Sequence, residues 1–79
     1  MRKRIKRVMA QTFDVALKDI PDDASIDSFP KWDSLGHLQL MLALETELGV
    51  QFSTSDMLDL LSLEALEEYL QRRGTSVAS

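Results

Sequence analysis

A chain of 79 residues, 44% of them apolar, forms a single domain whose core is only just large enough to be stable. It contains no cysteine and one histidine, which excludes a disulfide framework and a thiolate or multi-histidine metal site, so we expect no bound metal. The net charge of −4 conceals an asymmetry, because five of the nine basic residues precede Val8 and thirteen acidic residues face four basic ones from there on. The body of the domain is acidic, and its partners are expected to present basic surfaces.

No apolar run approaches the roughly 18 residues that span a bilayer, and no apolar signal core follows the basic start, so we expect a cytoplasmic protein. The basic start itself opposes the dipole of a helix, which favours anions at its N-terminus. We interpret it as a solvated helix end; contact with nucleic acid or a membrane is the alternative. Because no aromatic residues interleave the cations, we expect no nucleic-acid partner. The cations are Arg2, Lys3, Arg4, Lys6 and Arg7.

A first amphipathic helix is predicted from about Lys3 to Leu17, within a domain 1–79 whose ends, 1–4 and 75–79, are expected to be frayed. Its apolar side carries Ile5, Val8, Met9, Phe13, Ala16 and Leu17. The segment from Lys18 to Trp32 is rich in turn residues and reads as a long loop. We expect apolar residues to anchor this loop to the core, namely Ile20, Ile26, Phe29 and Trp32. A loop of this length can travel back along a helix, so the first two helices are predicted to run roughly parallel.

The most apolar helix is predicted from Ser34 to Leu48, ending at Gly49. Its apolar residues at helical spacing are Leu35, Leu38, Met41, Leu42 and Leu48, widened by Leu40, Ala43 and Leu44. We therefore expect this helix to be buried on more than one side, with an exposed first turn. A serine before an apolar run is typical of a helix N-cap, which is the purely structural interpretation of Ser34.

Two shorter helices complete the chain. Ser53 to Asp56 has the pattern of a capping box that opens a short third helix, ending at about Leu61. Ser62 caps a fourth helix that closes at Arg72, Arg73 and Gly74. In this helix we expect Leu63, Leu66 and Leu70 to face inward and Glu64, Glu67 and Glu68 to face outward. The predicted fold class is all-α, a small four-helix bundle with a long first loop and a short third helix.

The polar residues at the start of the second helix do not make a self-contained catalytic site. His37 lies one turn from Ser34, without an orienting carboxylate and an oxyanion hole to complete a triad. We therefore expect the chain not to be an enzyme.

The motif Asp33-Ser34-Leu35 at the start of an apolar helix resembles the phosphopantetheine attachment motif of acyl carrier proteins. The resemblance extends over nearly the whole chain, through the preceding loop, Met41-Leu42-Ala43-Leu44-Glu45, the short capped third helix and Tyr69-Leu70. It implies that Ser34 accepts a 4′-phosphopantetheine arm from coenzyme A through a separate phosphopantetheinyl transferase. The thiol of the arm would then hold acyl groups as thioesters.

The resemblance also implies a set of site residues. Those around the arm are Asp33, Leu35, Gly36 and His37; His37 would contact the phosphate when protonated. Gly36 would allow close approach of the transferase or the arm, or is simply a tolerated glycine. Residues that match the acyl-chain space are Leu44, Phe52, Met57 and Leu60, and ordinary core packing is their other interpretation. Candidate partner-binding acids are Glu45, Glu47, Asp56 and Asp59.

One departure bears on the pathway. Acyl carriers of fatty-acid synthesis usually carry acids where this chain has Gly36 and Gln39. We therefore predict a discrete, monomeric carrier of one specialised fatty-acid, polyketide or related pathway. Its partners would be a loading ligase and acyltransferases or synthases.

Two alternatives remain. An aminoacyl carrier, of the D-alanyl or peptidyl type, would share the fold and the arm. An unmodified helical interaction module would use Ser34 only as a cap. For that module Ser34→Ala would cost about 1 kcal/mol of stability and no pathway activity.

Overall fold

The computed structural model describes residues 1–73 and has four α-helices in this range, Arg2–Phe13 (α1), Ser34–Leu48 (α2), Thr54–Asp59 (α3) and Leu63–Arg72 (α4). Over the same range there is no strand, only an isolated antiparallel bridge between Ser25 and Ser62. The all-helical class, the long first loop and the short third helix are therefore confirmed. Helix α1 already begins at Arg2, inside the segment 1–4 expected to be frayed, whereas 75–79 lies outside the described residues. No helix within residues 1–73 is long and apolar enough to cross a membrane.

Helix α1 ends at Phe13, four residues earlier than predicted. Asp14 adopts the left-handed conformation (φ 56°), which aspartate tolerates better than most residues, and its N–H donates to Ala10 O. A 3₁₀ turn, Leu17–Asp19, follows. Ala16 and Leu17 are exposed although they continue the helical spacing, so the periodicity extended the prediction past the true end.

Helices α1 and α2 run in opposite directions, so the prediction of a roughly parallel pair was wrong. At one end, the ring of Phe13 lies against Gly36 in the first turn of α2. At the other end, Arg4 and Arg7 border a groove shared with Glu47 in the last turn of α2. The extended length of a loop is only an upper limit on its reach, and this loop folds compactly instead of returning along α1.

The loop is anchored to the core as predicted. Ile20 and Trp32 are buried, and Ile26 and Phe29 pack partly buried against the same core. The backbone also pairs with the chain before α4, because Ile26 N–H donates to Leu61 O at 2.9 Å. The loop is thereby tied to the chain just before α4.

Within residues 1–73, the core takes its buried residues from α1, α2, α4 and the segments between helices, whereas α3 and the 3₁₀ turn contribute none. Its buried apolar residues are Ile5, Val8, Met9, Phe13, Ile20, Ala24, Trp32, Leu40, Met41, Leu44, Val50, Phe52, Leu60, Leu63, Leu66 and Leu70. Helix α2 buries one face, and the prediction that it is buried on more than one side was wrong. Because both faces of α2 are apolar, its pattern carries no information on which one faces the core.

The caps of the last two helices are as predicted. Ser53 and Asp56 form a reciprocal capping box at the start of α3, and Ser62 Oγ accepts from Ala65 N–H at the start of α4. Helix α3 ends at Asp59, two residues before the predicted Leu61.

Helix α4 buries its three leucines as predicted. Glu67, expected to face outward, is partly buried and accepts a 2.6 Å hydrogen bond from Arg2. The last helix is thereby tied to the first turn of α1.

Candidate functional site

The start of α2 is capped by Asp33, not by Ser34. Asp33 has an extended backbone, and its Oδ1 accepts the Gly36 N–H at 2.8 Å. Ser34 is consequently the first helical residue, and the interpretation of Ser34 as the cap was wrong. Its side chain is exposed, and none of the hydrogen bonds found within residues 1–73 uses Ser34 Oγ. The hydroxyl is thus available to an external reagent.

The surroundings of Ser34 suit an anion. Within the described part of the chain, the N–H groups of Ser34 and Leu35 find no protein acceptor, as is usual in a first helical turn. Unpaired N–H groups and the positive end of the helix dipole both stabilise a negative group at this point. A phosphodiester on Ser34 Oγ therefore fits the residues present.

Gly36 is buried, for a reason that neither interpretation of the sequence included. A methyl group at Gly36 would lie 2.6 Å from the backbone oxygen of Lys31 and 3.1 Å from the ring of Phe13. The loop and α1 therefore close on the first turn of α2 only because this residue has no side chain. The approach that requires glycine is internal to the fold.

His37 is also buried, with 7% of its surface exposed. The expectation of an exposed first turn of α2 was therefore wrong for Gly36 and His37. Its Nδ1 accepts the indole N–H of Trp32 at 2.9 Å, and the two rings stack. Its Nε2 donates to the backbone oxygen of Met57 at 2.6 Å, which assigns the tautomer protonated on Nε2. Both ring nitrogens are thus engaged inside the protein, and the expected contact between His37 and a phosphate on Ser34 does not fit this arrangement.

Two of the four candidate partner-binding acids have internal roles. Glu45 accepts the backbone N–H of Phe52 at 2.8 Å and holds the chain after α2. Asp56 accepts the backbone N–H of Ser53 at 3.0 Å and the hydroxyl of Tyr69 at 2.7 Å. Glu47 and Asp59 are exposed.

The hydrogen bonds of Asp56 shift two pKa values. The Ser53 N–H, followed by the Tyr69 hydroxyl, holds the pKa of Asp56 below its ordinary value, because both donors stabilise the carboxylate. The pKa of Tyr69 is raised in return, chiefly by its hydrogen bond to Asp56. Helices α3 and α4 are thereby joined by a bond to an ionised group.

The residues matched to the acyl-chain space belong to the packed interior. Leu44, Phe52 and Leu60 are buried, and Met57 packs against the same core. Two surface grooves lie elsewhere, along α1.

A stripe of exposed leucines starts beside Ser34, on a side of α2 that the sequence prediction placed inside. It consists of Leu35 (65% exposed), Leu38 (48%) and Leu42 (50%). These positions are three and four residues apart and therefore share a face of α2, and we call them the leucine stripe. On α3, Leu58 is also exposed (69%). Across residues 1–73, no three or more acids and histidines are grouped to hold a metal ion.

Comparison with known protein families identifies the class of protein to which the chain belongs. Residues 3–70, which make up most of the chain, match the family described as "Phosphopantetheine attachment site". The chain belongs to this family of phosphopantetheine-binding carriers. Its members bind 4′-phosphopantetheine covalently and work with phosphopantetheinyl transferases and pathway enzymes. No curated protein matches the chain.

Proposed function

We propose that the chain is a discrete, cytoplasmic and monomeric acyl carrier protein with its 4′-phosphopantetheine arm on Ser34, serving a specialised fatty-acid, polyketide or related pathway. One observation carries this assignment. Ser34 is the exposed first residue of α2, with an uncommitted hydroxyl, in a segment that matches the family. When bound, the arm would supply the thiol for thioester linkage, which the chain itself lacks. The chain then needs to catalyse no step.

The residues around Ser34 act by positioning in this proposal. Asp33 fixes Ser34 as the first helical residue by holding the Gly36 N–H. Gly36 lets the loop close beneath it, and His37 ties the start of α2 to Trp32 and to α3. Leu35 lies exposed beside Ser34, where it would contact the transferase and the other partners.

Partner recognition would rest on the leucine stripe and on the exposed candidate acids. The stripe gives partners an apolar surface along α2, starting one residue from the attachment point, and Leu58 adds an exposed apolar side chain on α3. Glu47 and Asp59 are the remaining exposed candidates for ion pairs, since Glu45 and Asp56 are bonded internally. Such a surface fits enzymes of a dedicated pathway that bind through apolar contacts. It fits less well enzymes whose basic patches bind many acidic residues.

An acyl cargo would need room among the apolar residues that the sequence matched to an acyl-chain space. Leu44, Phe52, Met57 and Leu60 would have to separate to admit a chain, because they are packed together in the core. The flexible side chain of Met57 is suited to repacking of this kind.

The test is modification of matched variants by a phosphopantetheinyl transferase with a fluorescent coenzyme A analogue. Wild type and Ser55→Ala should be labelled equally, because Ser55 is an exposed serine in the first turn of α3. Ser34→Ala should show no label and an unchanged circular dichroism spectrum. Labelling of Ser34→Ala at the wild-type level would overturn the assignment.

A further inference from the structure

The outward side of α1 carries three exposed cations, Lys3, Arg4 and Arg7, here called the basic face. The two other cations of this helix have partners. Arg2 pairs with Glu67 and Asp22, and Lys6 pairs with Asp22. In the described range, no acid lies within 4.0 Å of the charged groups of the basic face. Its charge is therefore available to a partner.

Helix stability does not explain the basic face. Lys3 and Arg4 lie in the first turn of α1, where the positive end of the dipole disfavours cations, and this turn has no acid. Lys3 and Arg7 are also four residues apart on one face, where like charges repel each other. This arrangement of cations destabilises α1. The basic face therefore serves something other than helix stability.

A groove adjoins the basic face. It has a volume of about 180 Å³ and lies between α1 and the end of α2. Val8 and Leu48 give it an apolar part, Gln11 and Glu47 give it a polar part, and Arg4 and Arg7 lie at its border. The two guanidinium groups together outweigh the single charge of Glu47, and with the apolar part they suit a carboxylate-bearing segment that also has one apolar side chain.

The groove lies far from Ser34. It adjoins Glu47 and Leu48 in the last turn of α2, whereas Ser34 is the first residue of that helix. Fifteen residues of helix span about 20 Å, so a partner in the groove leaves Ser34 and most of the leucine stripe accessible.

We propose that the basic face and its groove form a second docking surface, which binds an acidic segment of another protein while Ser34 stays accessible. Carboxylates of the segment pair with Arg4 and Arg7, and one apolar side chain enters the groove. The surface does not require that Ser34 carry an arm, so it holds independently of the proposed function.

Other occupants fit less well. The basic face offers a nucleic acid only three cations, and Glu47 lies in the adjoining groove. None of the aromatic side chains in residues 1–73 is exposed for base stacking. A second copy of the chain would have to overcome a net charge of −4 on each molecule. Its contact would also be head-to-tail and would not close into a dimer.

The experiment measures binding of a fluorescein-labelled peptide in which glutamates flank a single leucine, by fluorescence anisotropy at low and high salt. Arg4→Glu with Arg7→Glu is the test variant. Both changes put acids near the N-terminus of α1, which favours the helix, so this variant should stay folded. Lys18→Glu with Lys31→Glu is the control, because it changes the net charge equally at exposed positions elsewhere.

We expect the test variant to weaken peptide binding about tenfold or more and the control to have little effect. Amide shifts on titration with the peptide should concentrate at Arg4, Arg7, Gln11 and Leu48, and labelling at Ser34 should be unchanged in the test variant. Equal weakening by both variants, or no binding by wild type, would overturn the proposal. So would tighter binding of a single-stranded oligonucleotide at the same residues, or peptide-independent self-association that the test variant abolishes.

Discussion

Capping of α2 and presentation of a free hydroxyl are separate roles, performed by Asp33 and Ser34 respectively. The sequence prediction considered both roles for Ser34 alone. The carboxylate of Asp33 satisfies a backbone N–H of the first turn, which leaves the neighbouring hydroxyl without a structural task. This division makes substitution of Ser34 informative, because loss of modification need not be confused with loss of the helix.

The first prediction compares these two neighbours. Asp33→Ala should lower the free energy of unfolding by about 1 kcal/mol, since it removes the cap of α2. Ser34→Ala should change it by less than about 0.5 kcal/mol, as for an ordinary surface substitution. Urea unfolding followed by circular dichroism measures both. A larger loss for Ser34→Ala than for Asp33→Ala would mean that the cap is misassigned.

The second prediction concerns Gly36. Alanine normally stabilises a helix by about 1 kcal/mol over glycine, but here its methyl group would overlap the Lys31 oxygen. Gly36→Ala should therefore destabilise the protein by about 1–3 kcal/mol, the usual cost of overpacking. Gln39→Ala, at an exposed position of the same helix, is the control and should be nearly neutral. Thermal unfolding that shows Gly36→Ala to be stabilised would contradict the close contact.

At the scale of elements, local sequence rules predicted a helix boundary well where neighbouring residues form a cap or a stop. Helix α2 runs from Ser34 to Leu48 as predicted, and the caps Ser53 and Ser62 act as expected. The end of α1 was missed because the left-handed turn at Asp14 interrupts a spacing that continues in the sequence.

The candidate site was only partly predictable. Ser34 could be identified from its motif, but the burial of His37 depends on Trp32 and Met57, which lie in other parts of the fold. The leucine stripe was misplaced because α2 is apolar on two opposite faces. Only tertiary packing decides which of them is covered.

The third prediction concerns the pH dependence of the junction between α3 and α4. Because the pKa of Asp56 is lowered in the folded state, its contribution to stability is complete above the ordinary aspartate range. It is lost as the pH falls through that range to the folded-state pKa. NMR titration should show Asp56 ionising below its usual range, and Asp56→Asn should flatten the acid limb of the stability profile.

The control for this prediction is Asp59→Asn, at an exposed position at the end of the same helix. It should leave the acid limb close to that of wild type. An Asp56 carboxyl that titrates at or above the ordinary aspartate range would contradict the capping box and the Tyr69 bond as sources of this dependence.

At the scale of the whole molecule, the attachment point and the leucine stripe share one region, and the basic face lies near the opposite end of α2. The fourth prediction is that Leu38→Ser with Leu42→Ser lowers the kcat/KM of phosphopantetheinylation about tenfold or more, with little salt dependence. The physical reason is that these exposed side chains would be desolvated against a partner. Stability should barely change, because neither residue belongs to the buried core.

The control is Glu47→Gln with Asp59→Asn, which removes the two exposed candidate acids and should have a smaller, salt-dependent effect. A larger loss for this control than for the leucine variant would show that recognition by the transferase is chiefly electrostatic.

Attachment of the arm to Ser34 is tested most directly by mass spectrometry of the wild-type chain. The protein is incubated with coenzyme A, magnesium and a broad-specificity phosphopantetheinyl transferase, and a known carrier is modified in parallel. We predict an increase in intact mass equal to one phosphopantetheinyl group, with fragment ions that locate it on Ser34. An unchanged mass in a folded sample, or a group on any other residue, would show that Ser34 does not carry the arm.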